Sequence, residues 1–432
     1  MREFSYPEIG ETVFRETLPC GLQIAVVPRK GFARRIAYLV TGFGSIHTQF
    51  ELDGKSYTVP AGTAHYLEHR TFALPGNRDV EAEFAALGAS VNAFTGYDMT
   101  AYYFSCTENF EKALRLLIEF VMTPYFAQEG VARERGIIQQ EIDMNLDSPD
   151  SVIYDNLMEI LYENHPVRMP ILGTGTSIQE ITPEILLACH RAFYRPENML
   201  LCVIGDESPA CIVQAAAEAM PVPEQVRVKK KRFPSEQMIP KADRTACQME
   251  IAMPTFHIAF KCEPLPAGDD AIRQEIIADL AAEALMGESS ELYLRLYEEG
   301  LIDSSFGGEF ETMDGCAMLC ASGDSMEPET VRDAIIEEAS RLAERGIDEE
   351  SFTRLLRSEM GQRIRGLDNM DGTCFRVCAY HCAGFDYFRF PEIYHEITAE
   401  DIRRFLRRVV ARERCAISVI YPLKEEERNE SC

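Results

Sequence analysis

Apolar residues along the chain recur with two periods. Between Asn109 and Met122, Phe110, Ala113, Leu114, Leu117 and Val121 fall at helical spacing and predict an amphipathic helix. A second helix is expected from about Gln128 to Leu146, broken near Asp147-Ser148-Pro149. A shorter helix precedes both. Ala64, Leu67 and Phe72 supply its apolar contacts, Thr63 or a neighbour caps its start, and Pro75-Gly76 stops it. The runs Ala37 to Ser45 and Ala101 to Ser105 read as strands of hairpins.

The pattern also repeats. Ile181-Thr182-Pro183-Glu184 is followed by a helical stretch and then by the strand Leu200 to Ile204. Ile397-Thr398-Ala399-Glu400 is followed by the same elements, ending in Ala416 to Ile420. The offset is 216 residues, half the chain, and a period this long marks duplicated domains rather than a solenoid. At 432 residues the chain also exceeds what one core serves. An N-terminal domain over 1–220, a Pro- and Lys-rich linker over 221–245 and a homologous C-terminal domain over 246–432 are expected. Strands and helices alternate in each half. The expected class is α+β: two homologous domains, each a mostly antiparallel sheet with helices packed on one face.

Composition removes several functions. A formal charge of −27 argues against nucleic acid and against anionic membrane surfaces. No run is apolar and long enough to span a bilayer, and Met1-Arg2-Glu3-Phe4-Ser5-Tyr6 lacks the apolar core of a secretory signal, so a cytoplasmic protein is expected. The basic run Arg227 to Arg232 reads as solvated linker. Arginines 403, 404, 407, 408, 412 and 414 read as the solvated face of a C-terminal helix. The fourteen cysteines are expected to stay reduced. Cys374, Cys378 and Cys382 recur every fourth residue beside His381. Core packing on a helix accounts for them better than a second metal cluster does.

The densest chemistry lies in His65-Tyr66-Leu67-Glu68-His69. This is the H-x-x-E-H order of inverted zinc peptidases. On a helix, residues four apart share a face, so both imidazoles can reach one cation, with Glu68 beside them. A catalytic zinc takes three protein ligands and keeps a fourth position for water. Glu134 and Glu141 stand seven residues apart on the second predicted helix, about two turns, so they face the same way. Spacing alone does not choose between a ligand, a supporting carboxylate and a solvated acidic face.

Gly62 to His69, Gly88 to Thr95 and Glu134 to Ile142 together resemble the pitrilysin/insulinase family, which includes the mitochondrial processing peptidases. Gly173 to Ile178, and Phe193 to Leu200 running into Val203 to Asp206, extend the resemblance over nearly the whole chain. It is greatest to the short processing-protease branch, similar to the mitochondrial processing peptidase beta subunit and bacterial homologues. The resemblance implies a LuxS/processing-peptidase-like metalloenzyme fold and a zinc ion held by His65, His69 and Glu141. It makes Glu68 the base that takes a proton from water and Glu134 a support for the site. It places Asn92 and Ala93 on an edge strand that pairs with a peptide substrate.

The second half lacks a histidine pair around Leu285 to Ser290, so one half is expected to carry the metal. Family members supply an arginine and a tyrosine from the other half to hold the substrate carbonyl. Here Tyr297 and Asp303 stand near those positions, and Arg295 is two residues away. Loss of one such donor typically costs 10²–10³-fold in rate. The implied protein is a zinc metalloendopeptidase that cleaves short or unfolded peptides inside a chamber formed by two subunits, a heterodimer with a homologous chain supplying Arg and Tyr, with a homodimer also possible. The alternative is a non-catalytic peptide-binding or structural subunit. His165 and Pro166 are further candidates to line the chamber.

Overall fold

The computed structural model describes residues 1–76, 78–266 and 268–423. The chain gathers into two compact units. The first comprises Met1–Ile142, Pro170–Arg232 and Arg363–Pro391. The second comprises Asp143–Met169, Phe233–Gln362 and Glu392–Cys432.

The first unit is built on seven strands: β1 (Arg2–Tyr6), β2 (Glu11–Thr17), β3 (Gln23–Pro28), β4 (Arg35–Thr41), β5 (Ala89–Thr95), β6 (Thr100–Cys106) and β7 (Met199–Gly205). Their order is β1-β2-β3-β7-β4-β6-β5. All neighbours are antiparallel except β7 on β3. Successive side chains point to opposite faces. Ile24, Val26, Ala37, Leu39, Tyr102, Phe104, Leu201 and Val203 enter one core with Leu114, Leu117, Phe120 and Val121 of the helix Phe110–Met122. The residues between them face the helix Met370–Cys382, where Cys202 meets Cys374 and Cys378. With both faces covered, every residue of β7 is buried. Cys374 and Cys378 are themselves fully buried.

The second unit has β8 (Arg244–Met249), β9 (Thr255–Cys262), β10 (Gly307–Met313), β11 (Cys316–Asp324) and β12 (Cys415–Pro422), in the order β8-β12-β9-β11-β10. This reproduces β3-β7-β4-β6-β5 strand for strand, including its one parallel pair, β8 on β12. Helices Asp269–Met286, Pro328–Arg345 and Ala399–Val409 pack against this sheet, and so does Pro149–Leu161. A cut at 221–245 therefore separates the two sheets, but it also parts each sheet from a helix that packs on it.

Two local expectations are corrected. Val228–Lys230, read as solvated linker, is a strand paired with Gln49–Leu52 in a three-stranded sheet. Backbone pairing of this kind is indifferent to the exposed lysines. His165 is fully buried rather than lining a chamber. Its Nε2 lies 3.0 Å from Asp314 O and its Nδ1 accepts from Val167 N, so both ring nitrogens serve the fold. Beside it, Glu236 accepts from His165 N and from Lys261 Nζ (3.0 Å), and Lys261 also donates to Leu161 O. No helix among the described residues is long and apolar enough to cross a membrane.

Candidate metal centre

The site is carried by two helices of the first unit, α1 (Thr63–Thr71) and α2 (Gln128–Leu146). The start of α1 is set by backbone rather than by a side-chain cap. Gly62 occupies the cap position with φ 87°, and a Cβ there would lie 2.4 Å from Leu172 O. Only glycine fits such an approach. Thr63, the expected cap, instead donates its hydroxyl to Pro60 O at 2.7 Å. Across this contact Ser177 Oγ donates to Ala61 O at 2.8 Å, so the loop beginning at Gly173 buttresses the first turn of α1. At the other end Thr71 Oγ1 donates to Leu67 O and receives a bond from Tyr102 OH.

Residues between the histidines bind α1 to α2. The Tyr66 hydroxyl donates to Val131 O, and Arg70 Nη1 donates to Glu134 Oε2 at 2.9 Å. A Cβ on Gly130 would meet the Arg70 guanidinium at 2.6 Å, so the missing side chain makes room for this pair. The register that results places Glu141 Oε2 3.6 Å from His65 Nε2 and 3.5 Å from His69 Nε2. The three donor atoms lie within 4.8 Å of one another.

The electrostatics prepare these groups. Burial, with the neighbouring His69, drives His65 down to about 3, so its ring is neutral. Burial also pulls His69 down, but Glu134, Glu141 and Glu68 outweigh it and raise that group. Glu134 Oε1 lies 3.1 Å from His69 Nδ1. An ionised carboxylate only accepts, so Nδ1 carries the proton and the Nε2 lone pair is aimed toward Glu141. Glu134 is held low because His69 and Arg70 together overcome the cost of its burial. Glu68 is 8 % exposed. Burial raises its pKa, against a 2.5 Å hydrogen bond from Thr95 Oγ1. Two imidazoles and a carboxylate converging in this way form a zinc donor set, and the residues present fit such an ion.

Of the residues singled out from the sequence, His65, Glu68, His69, Glu134 and Glu141 come together here. Asn92 and Ala93 lie on β5, which forms one edge of the seven-stranded sheet. There Asn92 Oδ1 accepts from Ala93 N at 2.8 Å. Tyr297 and Asp303 belong to the second unit. Tyr297 is exposed and stacks on Tyr293, and Asp303 accepts from Ser305 N and Oγ. Sequence reasoning did not single out Thr95, Tyr66 or Arg70 for their contacts. Strand alternation offered a signal for the first, since Thr95 shares a face of β5 with Ala93 and Val91, both packed on the core under α1.

The profile of the family described as Insulinase (Peptidase family M16) matches residues 56–175, and that of the Peptidase M16 inactive domain matches 180–359. The uncharacterized zinc protease YmfH of Bacillus subtilis is 32% identical over 428 residues, covering 98% of this chain and 99% of that protein. The crystal structure of an M16-like peptidase from Alicyclobacillus acidocaldarius superposes with a TM-score of 0.91 at 31% identity, covering 96% of this chain and 99% of that one. A protease from Helicobacter pylori, at 17% identity and a TM-score of 0.79, shares the fold over 95% of this chain and 99% of its own.

Proposed function

The chain belongs to the insulinase family, peptidase family M16, and from that premise we propose that it is a zinc-dependent endopeptidase acting on short or unfolded peptides. The observation that carries this reading is the convergence of His65, His69 and Glu141, with the buried Glu68 carboxylate on the same helix.

His65, His69 and Glu141 would hold the ion, which supplies Lewis acidity toward a peptide carbonyl and toward water. Glu134 fixes the His69 ring through Nδ1 and so orients the donor nitrogen. Glu68 accepts a proton from water and returns it to the leaving amine. Its raised pKa suits that exchange, and Thr95 holds the carboxylate in place. The peptide backbone adds to the outer edge of β5, where its carbonyl replaces Asn92 Oδ1 on the Ala93 amide.

The reading extends to a two-subunit chamber. With Tyr297 and Asp303 near positions where family members carry an arginine and a tyrosine, a homologous partner chain would complete carbonyl recognition. A cytoplasmic setting, in which fourteen cysteines stay reduced, suits it. The same substitutions favour the competing reading of a non-catalytic peptide-binding subunit.

Cleavage of an unstructured peptide by the zinc-loaded chain, alone and mixed with a homologue that keeps the arginine and tyrosine, separates the two. Metal-dependent cleavage that rises on mixing supports the full proposal. Full activity alone removes the need for a partner. Zinc binding without cleavage in either arm leaves the binding subunit.

A further inference from the structure

A second set of metal-ligating side chains lies in the other unit, on strands only. His257 projects from β9, Glu311 from β10 and Cys320 from β11, on the sheet face that packs against Pro149–Leu161. The register brings them together. Ala259 sits opposite Cys320 and Glu309 sits opposite Cys320 from the other side, so His257 and Glu311 are its two diagonal neighbours. One donor atom from each lies within 4.8 Å of the other two.

These are unusual residues for that place. His257 is 8 % exposed, and its Nε2 is buried without a hydrogen-bond partner. Buried polar atoms usually find a partner, and this one is left with its donor capacity unused. Burial drives His257 down to about 4, so it is a neutral imidazole with a lone pair at neutral pH. Cys320 is fully buried and Glu311 half-buried. Glu311 Oε2 accepts a 2.7 Å hydrogen bond from Tyr154 OH, which orients the carboxylate as an outer partner orients a metal ligand. Glu309, across from Cys320, is exposed.

We propose that His257, Glu311 and Cys320 form a second metal site in the C-terminal domain, suited to a divalent ion of borderline softness, with Zn²⁺ the first choice. Nitrogen, oxygen and sulfur donors in one set select such an ion over the hard Ca²⁺ and Mg²⁺. Bonds of about 2.0–2.3 Å require the three side chains to close inward on the ion. The Cys320 proton leaves as the thiolate binds, so affinity falls in acid. The ion would tie β9, β10 and β11 together. The site is independent of the catalytic proposal, since none of its residues lies in the first unit.

Sulfur makes the test specific, because the His65, His69 and Glu141 set contains none. Metal-free full-length protein is titrated with Co²⁺ and followed by absorption and by bound-metal stoichiometry. The wild type is expected to take two ions per chain, one of them accompanied by a thiolate-to-cobalt charge-transfer band. The Cys320→Ser variant is expected to take one ion and to lack the band. A wild type with no such band at saturating Co²⁺ overturns the proposal, whether or not the variant folds. An undiminished band in Cys320→Ser overturns it too, since another cysteine would then be the ligand.

Discussion

The two units share a five-stranded arrangement and use it oppositely. In the first, the interval between β4 and the edge strand β5 holds α1, with Glu68 and Arg70 buried and both histidines turned toward Glu141. In the second, the interval between β9 and β10 is filled by Asp269–Met286 and Glu291–Glu298. There Ile272, Ile276, Leu280, Leu285 and Leu292 are buried and no histidine occurs. The opposite sheet face shows the reverse bias. Tyr38 and Ala101 in the first unit have His257 and Cys320 as their register equivalents in the second. The scaffold tolerates polar chemistry in either place, but each unit concentrates it in one.

The comparison breaks most sharply at Glu68. Glu68→Gln should keep zinc and lower peptide cleavage by about 10²–10⁴-fold, the typical worth of a general base. Metal content and turnover measured on one preparation check both halves, and a variant that still cleaves removes Glu68 as the base. The second unit should instead register its largest loss as stability. Lys261→Ala leaves Glu236 and Leu161 O without their buried partner, at a cost of about 3–5 kcal/mol in denaturant unfolding.

Smaller effects sharpen the contrast. Glu134→Gln should weaken zinc affinity by about 10–100-fold while leaving the ligands in place, as read by chelator competition. In the second unit Glu236 sits below the usual carboxylate range, because Lys261 and two backbone amides outweigh its burial. Its folded pKa is depressed, so its contribution is complete above the unfolded value of about 4.3 and is lost as pH falls through the folded one. The melting temperatures of wild type and Glu236→Gln should therefore differ at neutral pH and converge in acid.

Much of this was legible in the chain. The helix Phe110–Met122 follows from its apolar spacing, and the repeat of 216 residues aligns β7 with β12. Five clustered residues named the site, because spacing within one helix dictates which side chains share a face. The rest depended on contacts distant in sequence. The cap at Gly62 rests on Leu172, 110 positions away, so local propensity pointed to Thr63 instead. The sheet contacts of Pro149–Leu161 and Met370–Cys382 leave no periodic signal, since an apolar helix face reads the same whichever sheet it meets. Glu311 and Cys320 share a hairpin, but His257 lies 54 residues before Glu311, and only strand register brings it to them.

The proposed peptidase activity requires that His65, His69 and Glu141 hold one ion on which cleavage depends. It is tested most directly by the free zinc concentration that restores peptide cleavage to chelator-stripped enzyme, compared between wild type and Glu141→Ala. Wild type is expected to recover at low free zinc, and Glu141→Ala to need far more zinc or not to recover, because a catalytic zinc takes three protein ligands. Recovery of Glu141→Ala at the wild-type zinc concentration would contradict it.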